Sequence, residues 1–474
     1  MEQELLSRLR TLVAFELESY EGRLRSLSSS QYPSDVALRL IQHIAAEIRA
    51  QRTEIDQLVR DFRDDPERVA RGLSSQHRLL INRLAYLSSL ENAQTEAVPW
   101  SLVPSIERLA SVLIPNKHLL STCTYSLNYG IRWYPVARSA LQSFLLLELP
   151  AIHRTNAFLH VLVGHELFHP ILNDFFEQHA PTVMARLRGS IQDLLARHPP
   201  RQPLPERRLD KLVELGRAIW QRALEEVMCD LGCAAIFGPP ALFASLAFAL
   251  GSDFDEPPSP AGQFYPPPRF RFRQVLRFAF HDWGGDQDVG GPVEAGDDAE
   301  KPLEKLCRVL NEKQFEWAVD VLRKQFGIIK KEVTKDTDLR AIHKEPLVEI
   351  AYGEVSQSLP SAWDYVQEKI DATGVAWAVA IDEIPQLLSK LEMLVPPGEI
   401  SLESDPLGGR SASLSAIAIA MWVHHLRDEI PAAGLSLDDL LKDYHRECRL
   451  MLKAFEDVEL RREYDSRRMN RDNP

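Results

Sequence analysis

This chain is poor in cysteine, in net positive charge and in unbroken apolar runs, and each shortage closes off a class of protein. Its five cysteines, Cys123, Cys229, Cys233, Cys307 and Cys448, are odd in number and scattered over 474 residues. They suggest no disulfide framework, and a reducing, cytoplasmic location fits them. Basic residues number 55 against 68 acidic ones, a formal net charge of −13. A protein held to nucleic acid by phosphate contacts wants a basic face, so no nucleic-acid partner is expected. The longest uncharged stretch, 231–252, is cut by Gly238-Pro239-Pro240, and a proline pair breaks a spanning helix. It reads as two short buried helices, with no membrane span. The opening MEQELLSRLR mixes charge with leucine and lacks the basic-then-apolar order of a signal peptide.

What is present is ordinary for a soluble globular protein with a sizeable core: 45% apolar and 26% charged residues. Leu6, Leu9, Val13, Tyr20 and Leu27 recur at three- and four-residue spacing, as do Ile41, Ile44, Ile48, Ile55, Leu58 and Phe62. Two such seams, joined by a turn over 28–33 with Ser34 and Asp35 as a helix start, predict an antiparallel helical hairpin. That hairpin fills an N-terminal helical region, 1–98. Beyond it, 118–134 mixes β-branched and aromatic residues and predicts one or two strands. The apolar run 144–149, closed by Pro150, predicts another, and a helical pattern then runs from Asn156 to about Asp174. Residues 284–302 hold five glycines, two prolines and six acids, and read as an acidic linker or loop. It would separate a 99–283 core from a mainly helical 303–474 domain. The expected fold class is predominantly helical α+β with a small sheet.

The informative segment is His165-Glu166-Leu167-Phe168-His169, an H-E-x-x-H. On a helix, residues four apart share a face, so both imidazoles can reach one metal ion. Glu166, next to the first histidine, can approach a water on that metal as a general base. The flanking Phe158, Leu159, Val161, Leu162 and Val163 mark a mostly buried helix, where an unpaired histidine pair would be costly. Pro170 should kink or end that helix, because it removes the amide that would bond the Glu166 carbonyl. A catalytic zinc site needs a third protein ligand. Glu226 supplies a candidate, and Asp230, four residues on, shares its face and could fix a ligand histidine through the other ring nitrogen. Cys229 and Cys233 lie on the same face and read as core-packing thiols. His424 and His425 are adjacent, so they point apart and make a poor ligand pair.

H-E-x-x-H followed by E-x-x-x-D resembles the glutamate-zincin metallopeptidases. The continuation is similar to the soluble domain of prenyl-protein endopeptidases and their bacterial heat-shock relatives. In that family the metal helix leads to a Gly/Pro break, an Ala/Leu helix, and a His-Pro-Pro segment followed by arginine. Here the corresponding residues are Gly238-Pro239-Pro240, the apolar segment 241–250, and Tyr265-Pro266-Pro267-Pro268-Arg269. The resemblance covers roughly 144–280. It implies a zincin-like core, with zinc on His165, His169 and Glu226, Glu166 as base and Asp230 orienting a histidine. It also implies that the strand at 144–149 is the edge along which a substrate lies extended. Tyr265 stands where the family has a histidine, and its hydroxyl could stabilise an oxyanion. Arg269, Arg271 and Arg273 alternate like one face of a strand, and Arg269 could hold a substrate carboxylate.

The expectation is a soluble zinc-dependent metallopeptidase acting on a protein or peptide substrate. Its rival is a helical interaction scaffold whose metal is structural or absent, and an open coordination position separates the two.

Overall fold

The computed structural model describes residues 2–133, 143–198, 205–249, 254, 265–281, 301–333, 345–402, 405–427 and 436–472. The acidic segment expected to act as a linker lies almost wholly outside them. The chain is predominantly helical with a small sheet, and falls into two compact units, Met1–Arg154 and Thr155–Pro474. Among the described residues no helix is long and apolar enough to cross a membrane.

The first unit opens with three long helices, α1 (Glu2–Ser28), α2 (Val36–Asp61) and α3 (Pro66–Glu91). The leucine and isoleucine seams do pair, with Val13, Leu40, Ile44, Ile48 and Leu27 almost wholly excluded from water. The expected hairpin is therefore present but incomplete. The third helix starts at Pro66, with the Asp65 side chain accepting from the Arg68 amide at 3.0 Å. It buries Leu73, Leu80 and Leu90 against the same seam. Ion pairs from Glu16 to His77 and Arg23 to Glu91 show that α1 and α3 run parallel. After α4 (Val103–Leu113) come β1 (His118–Thr124), β2 (Gly130–Trp133) and β3 (Phe144–Pro150). The sheet, expected within the 99–283 core, groups with the N-terminal helices instead.

The place of β3 corrects the sequence reading. It is the middle strand, parallel to β1 along its length and antiparallel to β2 over residues 145–148, where both of its rows of backbone groups are paired. Over that stretch it offers no free edge to a substrate. The reason is visible in its composition: Phe144, Leu145, Leu146, Leu147 and Leu149 are all buried, and an apolar run without alternation suits a strand covered on both faces.

The second unit is built around α7 (Glu206–Phe237), against which α5 (Val163–Phe168), α6 (Asn173–Arg197), α9 (Pro268–Ala279) and α12 (Pro346–Thr373) pack. α7 ends at Gly238, whose φ of +66° and Trp377 neighbour, 2.7 Å from where a Cβ would stand, leave room for glycine alone. Then α8 (Pro239–Ala249) begins, so the uncharged stretch is two helices. The other α-helices and strands among the described residues are α10 (Pro302–Glu312), α11 (Glu316–Val333), α13 (Ile384–Glu392), the hairpin β4 (Glu399–Leu402) with β5 (Asp405–Ser411), α14 (Leu414–Arg427) and α15 (Leu437–Asp472).

Candidate metal centre

The helix that carries the two histidines is short for a local reason. Pro170 has no amide to give the Glu166 carbonyl, so α5 stops at Phe168 and His169 enters a 3-10 turn. The imidazoles stay one turn apart, with ring centroids separated by 5.2 Å. Leu167 and Phe168, between them, are wholly buried and anchor the helix.

Two glycines let α5 and α7 come close. A Cβ at Gly232 would stand 2.3 Å from the Phe168 ring, and one at Gly164 would meet Phe237 at 3.0 Å and the Cys233 sulfur at 3.1 Å. This proximity brings the short side chains of α7 within reach of the histidines. Asp230 Oδ1 lies 2.8 Å from His165 Nδ1, and Glu225 Oε1 lies 2.7 Å from His169 Nδ1. A carboxylate can only accept, so each Nδ1 carries a proton and each Nε2 is the nitrogen that a metal would take. Glu226 Oε2 is 3.4 Å from His165 Nε2, and Glu166 Oε2 is 3.9 Å from His169 Nε2.

Arginines brace these carboxylates. Arg271 on α9 donates from Nε to Asp230 Oδ2 at 2.6 Å and from Nη2 to Oδ1 at 2.7 Å, and stands 3.5 Å from Glu226. Arg222 reaches Glu225 at 3.2 Å and Glu226 at 3.3 Å. It also donates to the Tyr265 hydroxyl, with its guanidinium 4.6 Å above the Tyr265 ring.

Among the described residues, four carboxylates (Glu166, Glu225, Glu226, Asp230) therefore face two guanidiniums. With neutral imidazoles the group carries two excess negative charges. Burial works to raise the Asp230 carboxyl, yet Arg271 and His165 hold it well below the usual carboxylate range. Burial likewise opposes ionisation of Glu226, but His165 and Arg271 bring it down to about 2. On His165 burial disfavours the charge, whereas Asp230, Glu226 and Glu166 push it up to about 10. Without a metal, the excess negative charge is relieved by a proton on His165. A divalent cation would do so fully.

The donor chemistry fits such a cation. His165, His169 and Cys229 each offer one donor atom, all within 4.8 Å of one another. Donors around a tetrahedral zinc are about 3.4–3.7 Å apart at its usual bond lengths, so a contraction of order 1 Å closes the group.

Of the residues singled out from sequence, His165, Glu166, His169, Glu226 and Asp230 lie together, and Tyr265 joins them through Arg222. Arg269 does not. It is buried, and its guanidinium donates to the Glu332 carbonyl near the end of α11; Arg273 donates to the Val333 carbonyl at 2.7 Å. The strand-like alternation of these arginines is misleading, because the segment is helical. On a helix residues four apart share a face and the one between turns away, so Arg271 alone faces α7. Glu225, which the sequence offers only as the alternative to Glu226 in a shifted helical register, is instead the partner of His169. The reading of the sequence set Cys229 aside as a packing thiol. No family model matches this chain, and no curated protein or solved structure matches it.

Proposed function

We propose that the second unit is a zinc-dependent peptidase. The observation that carries this reading is the pairing of each imidazole, through Nδ1, with a carboxylate of its own. Both Nε2 atoms are thereby left for a metal beside Glu166. The excess of carboxylates over guanidiniums and the resemblance of the motif to the glutamate zincins support it further.

His165, His169 and Glu226 would hold the ion, and zinc there supplies Lewis acidity toward a scissile carbonyl and brings the pKa of water near neutrality. The rest of the chemistry belongs to the chain. Glu166 takes the proton of the attacking water and passes it to the leaving amine. Asp230 and Glu225 fix the tautomer and the plane of the histidine rings. Arg271 keeps Asp230 ionised in its buried position. Burial and the nearby Glu226 push the Tyr265 hydroxyl above its ordinary pKa of 10.0, so it stays protonated while its oxygen accepts from Arg222. It is therefore a donor to a developing oxyanion. The substrate is a protein or peptide chain, and the acidic net charge leaves nucleic acid outside the reading.

The test compares wild-type and Glu166→Gln protein, both loaded with zinc, on a proteome-derived peptide library. New peptide termini in the wild-type digest alone are the expected result. Identical digests from two fully loaded proteins would sink the peptidase. Tyr265→Phe should slow cleavage by about 10²–10³-fold, the scale of one lost oxyanion donor, with zinc content and Tm unchanged. Undiminished turnover would remove Tyr265 from the mechanism.

A further inference from the structure

Of the five buried cysteines, two lie on α7 one turn apart, and their surroundings differ. Cys233 faces the backbone, donating to the Val161 carbonyl at 3.4 Å. Cys229 is wholly excluded from water, and burial, with Glu226, Glu225, Glu166 and Asp230 around it, raises its thiol well above the ordinary range, so that only a bound cation would draw off its proton. Helix geometry explains these surroundings. At 3.6 residues per turn, Cys229 falls one turn beyond Glu225 and, around the axis, between Glu225 and Glu226. Those two residues reach His169 and His165 respectively, so the thiol sits beneath the pair of imidazoles. Its sulfur lies within 4.8 Å of a ring nitrogen of each.

We propose that the Cys229 thiolate is a direct ligand of the metal held by His165 and His169. This rests on the metal-binding reading above and puts a sulfur donor in the place of Glu226, so that the fourth position stays open to water. Glu226 is the more weakly committed oxygen donor, since Arg222 and Arg271 both draw on its carboxylate. A thiolate changes which ions the site takes. Two imidazoles with sulfur select zinc and other borderline or soft cations over magnesium, calcium and manganese, which prefer all-oxygen sites. The site would then be zinc-selective because of Cys229.

Cobalt(II) reads this out without any substrate. The full chain is stripped with a chelator and reloaded with cobalt alone. One equivalent should bind, with a near-ultraviolet thiolate-to-metal charge-transfer band. In Cys229→Ser that band should vanish while the visible cobalt bands persist, and zinc affinity should fall by at least the roughly 10–100-fold that loss of an orienting group costs. Cys233→Ser should keep both the band and the affinity. One equivalent of cobalt with no charge-transfer band in the wild-type chain overturns the proposal, even if Cys229→Ser fails to fold. So does a band that survives in folded Cys229→Ser. Neither result touches the peptidase reading. Failure of the wild-type chain to bind any cobalt or zinc overturns both.

Discussion

The first unit buries Arg83 between its helices, and the second buries Glu226, with Asp230 largely covered beside it, between α5, α7 and α9. In the first, the Arg83 guanidinium lies 3.1 Å from Glu47 and bonds Gln51, while its carbonyl accepts from Tyr20. Gln51 in turn donates to the Gln76 carbonyl at 2.8 Å. The groups of that layer find counterparts inside the bundle, and the layer fixes how the helices register. A carboxyl elsewhere in that unit, Glu107, is pushed up to about 8, chiefly by burial, so it is mostly neutral at pH 7. The second unit does the opposite. Its carboxylates outnumber their arginines, and Glu226 and Asp230 among them are held ionised. A polar layer closed on itself is architecture, whereas an excess of carboxylates beside two imidazoles prepares a place for a cation.

The largest expected effect tests that contrast directly. Glu166→Gln should keep the zinc and the fold while hydrolysis falls by about 10²–10⁴-fold, the usual scale for loss of a general base. Glu47→Gln should lower Tm and leave the zinc content alone; zinc loss in that variant would break the comparison. Next, Asp230→Asn should weaken zinc binding by about 10–100-fold in a calorimetric titration, since the histidine it orients is freed to turn. Unchanged affinity would mean that the carboxylate serves only Arg271.

A pair of glycine substitutions sharpens the difference in packing. Gly232→Ala drives a methyl into the Phe168 ring and should cost about 1–3 kcal/mol in a urea titration. Gly22→Ala, in α1 with nothing within 4 Å of the new methyl, should stabilise by about 0.4–1 kcal/mol. Equal effects at the two positions would refute the close approach of α5 and α7.

The smallest effect concerns pH. The folded-state pKa of Glu107 is raised to about 8 from an ordinary 4.5. Its stabilising contribution is therefore complete below about pH 4.5 and is lost as the pH rises through 8. Glu107→Gln should flatten Tm over that window. A variant that retains the full wild-type slope would place the titration elsewhere.

Much of this was legible from short-range pattern. The α1 and α2 seams, the strands near 118–134 and 144–149 and the Gly-Pro-Pro break each depend on a period or a backbone constraint confined to a few residues. Helix α3 was overlooked because Val69, Leu73, Leu80 and Leu90 are interleaved with arginines and serines, which dilute the seam. The arginines of α9 were misread because three residues at a spacing of two fit a strand as well as a helix. For the site, spacing brought Glu226 and Asp230 onto one face of a helix, but said nothing of which histidine each would meet.

The sequence by itself determined that His165 and His169 share a face with Glu166 between them, because helix periodicity and Pro170 act within one turn. It also determined the acidic balance and the absence of an unbroken apolar span. Only the tertiary structure decided that β3 is a central strand, that Asp230 holds His165 while Glu225 holds His169, and that Arg271 rather than Arg269 faces them. The same is true of Cys229 and Cys233, which look alike in sequence. Which of them lies under the imidazoles depends on how α5 rolls across α7, and the contact of Phe168 with Gly232, residues 64 positions apart, sets that roll.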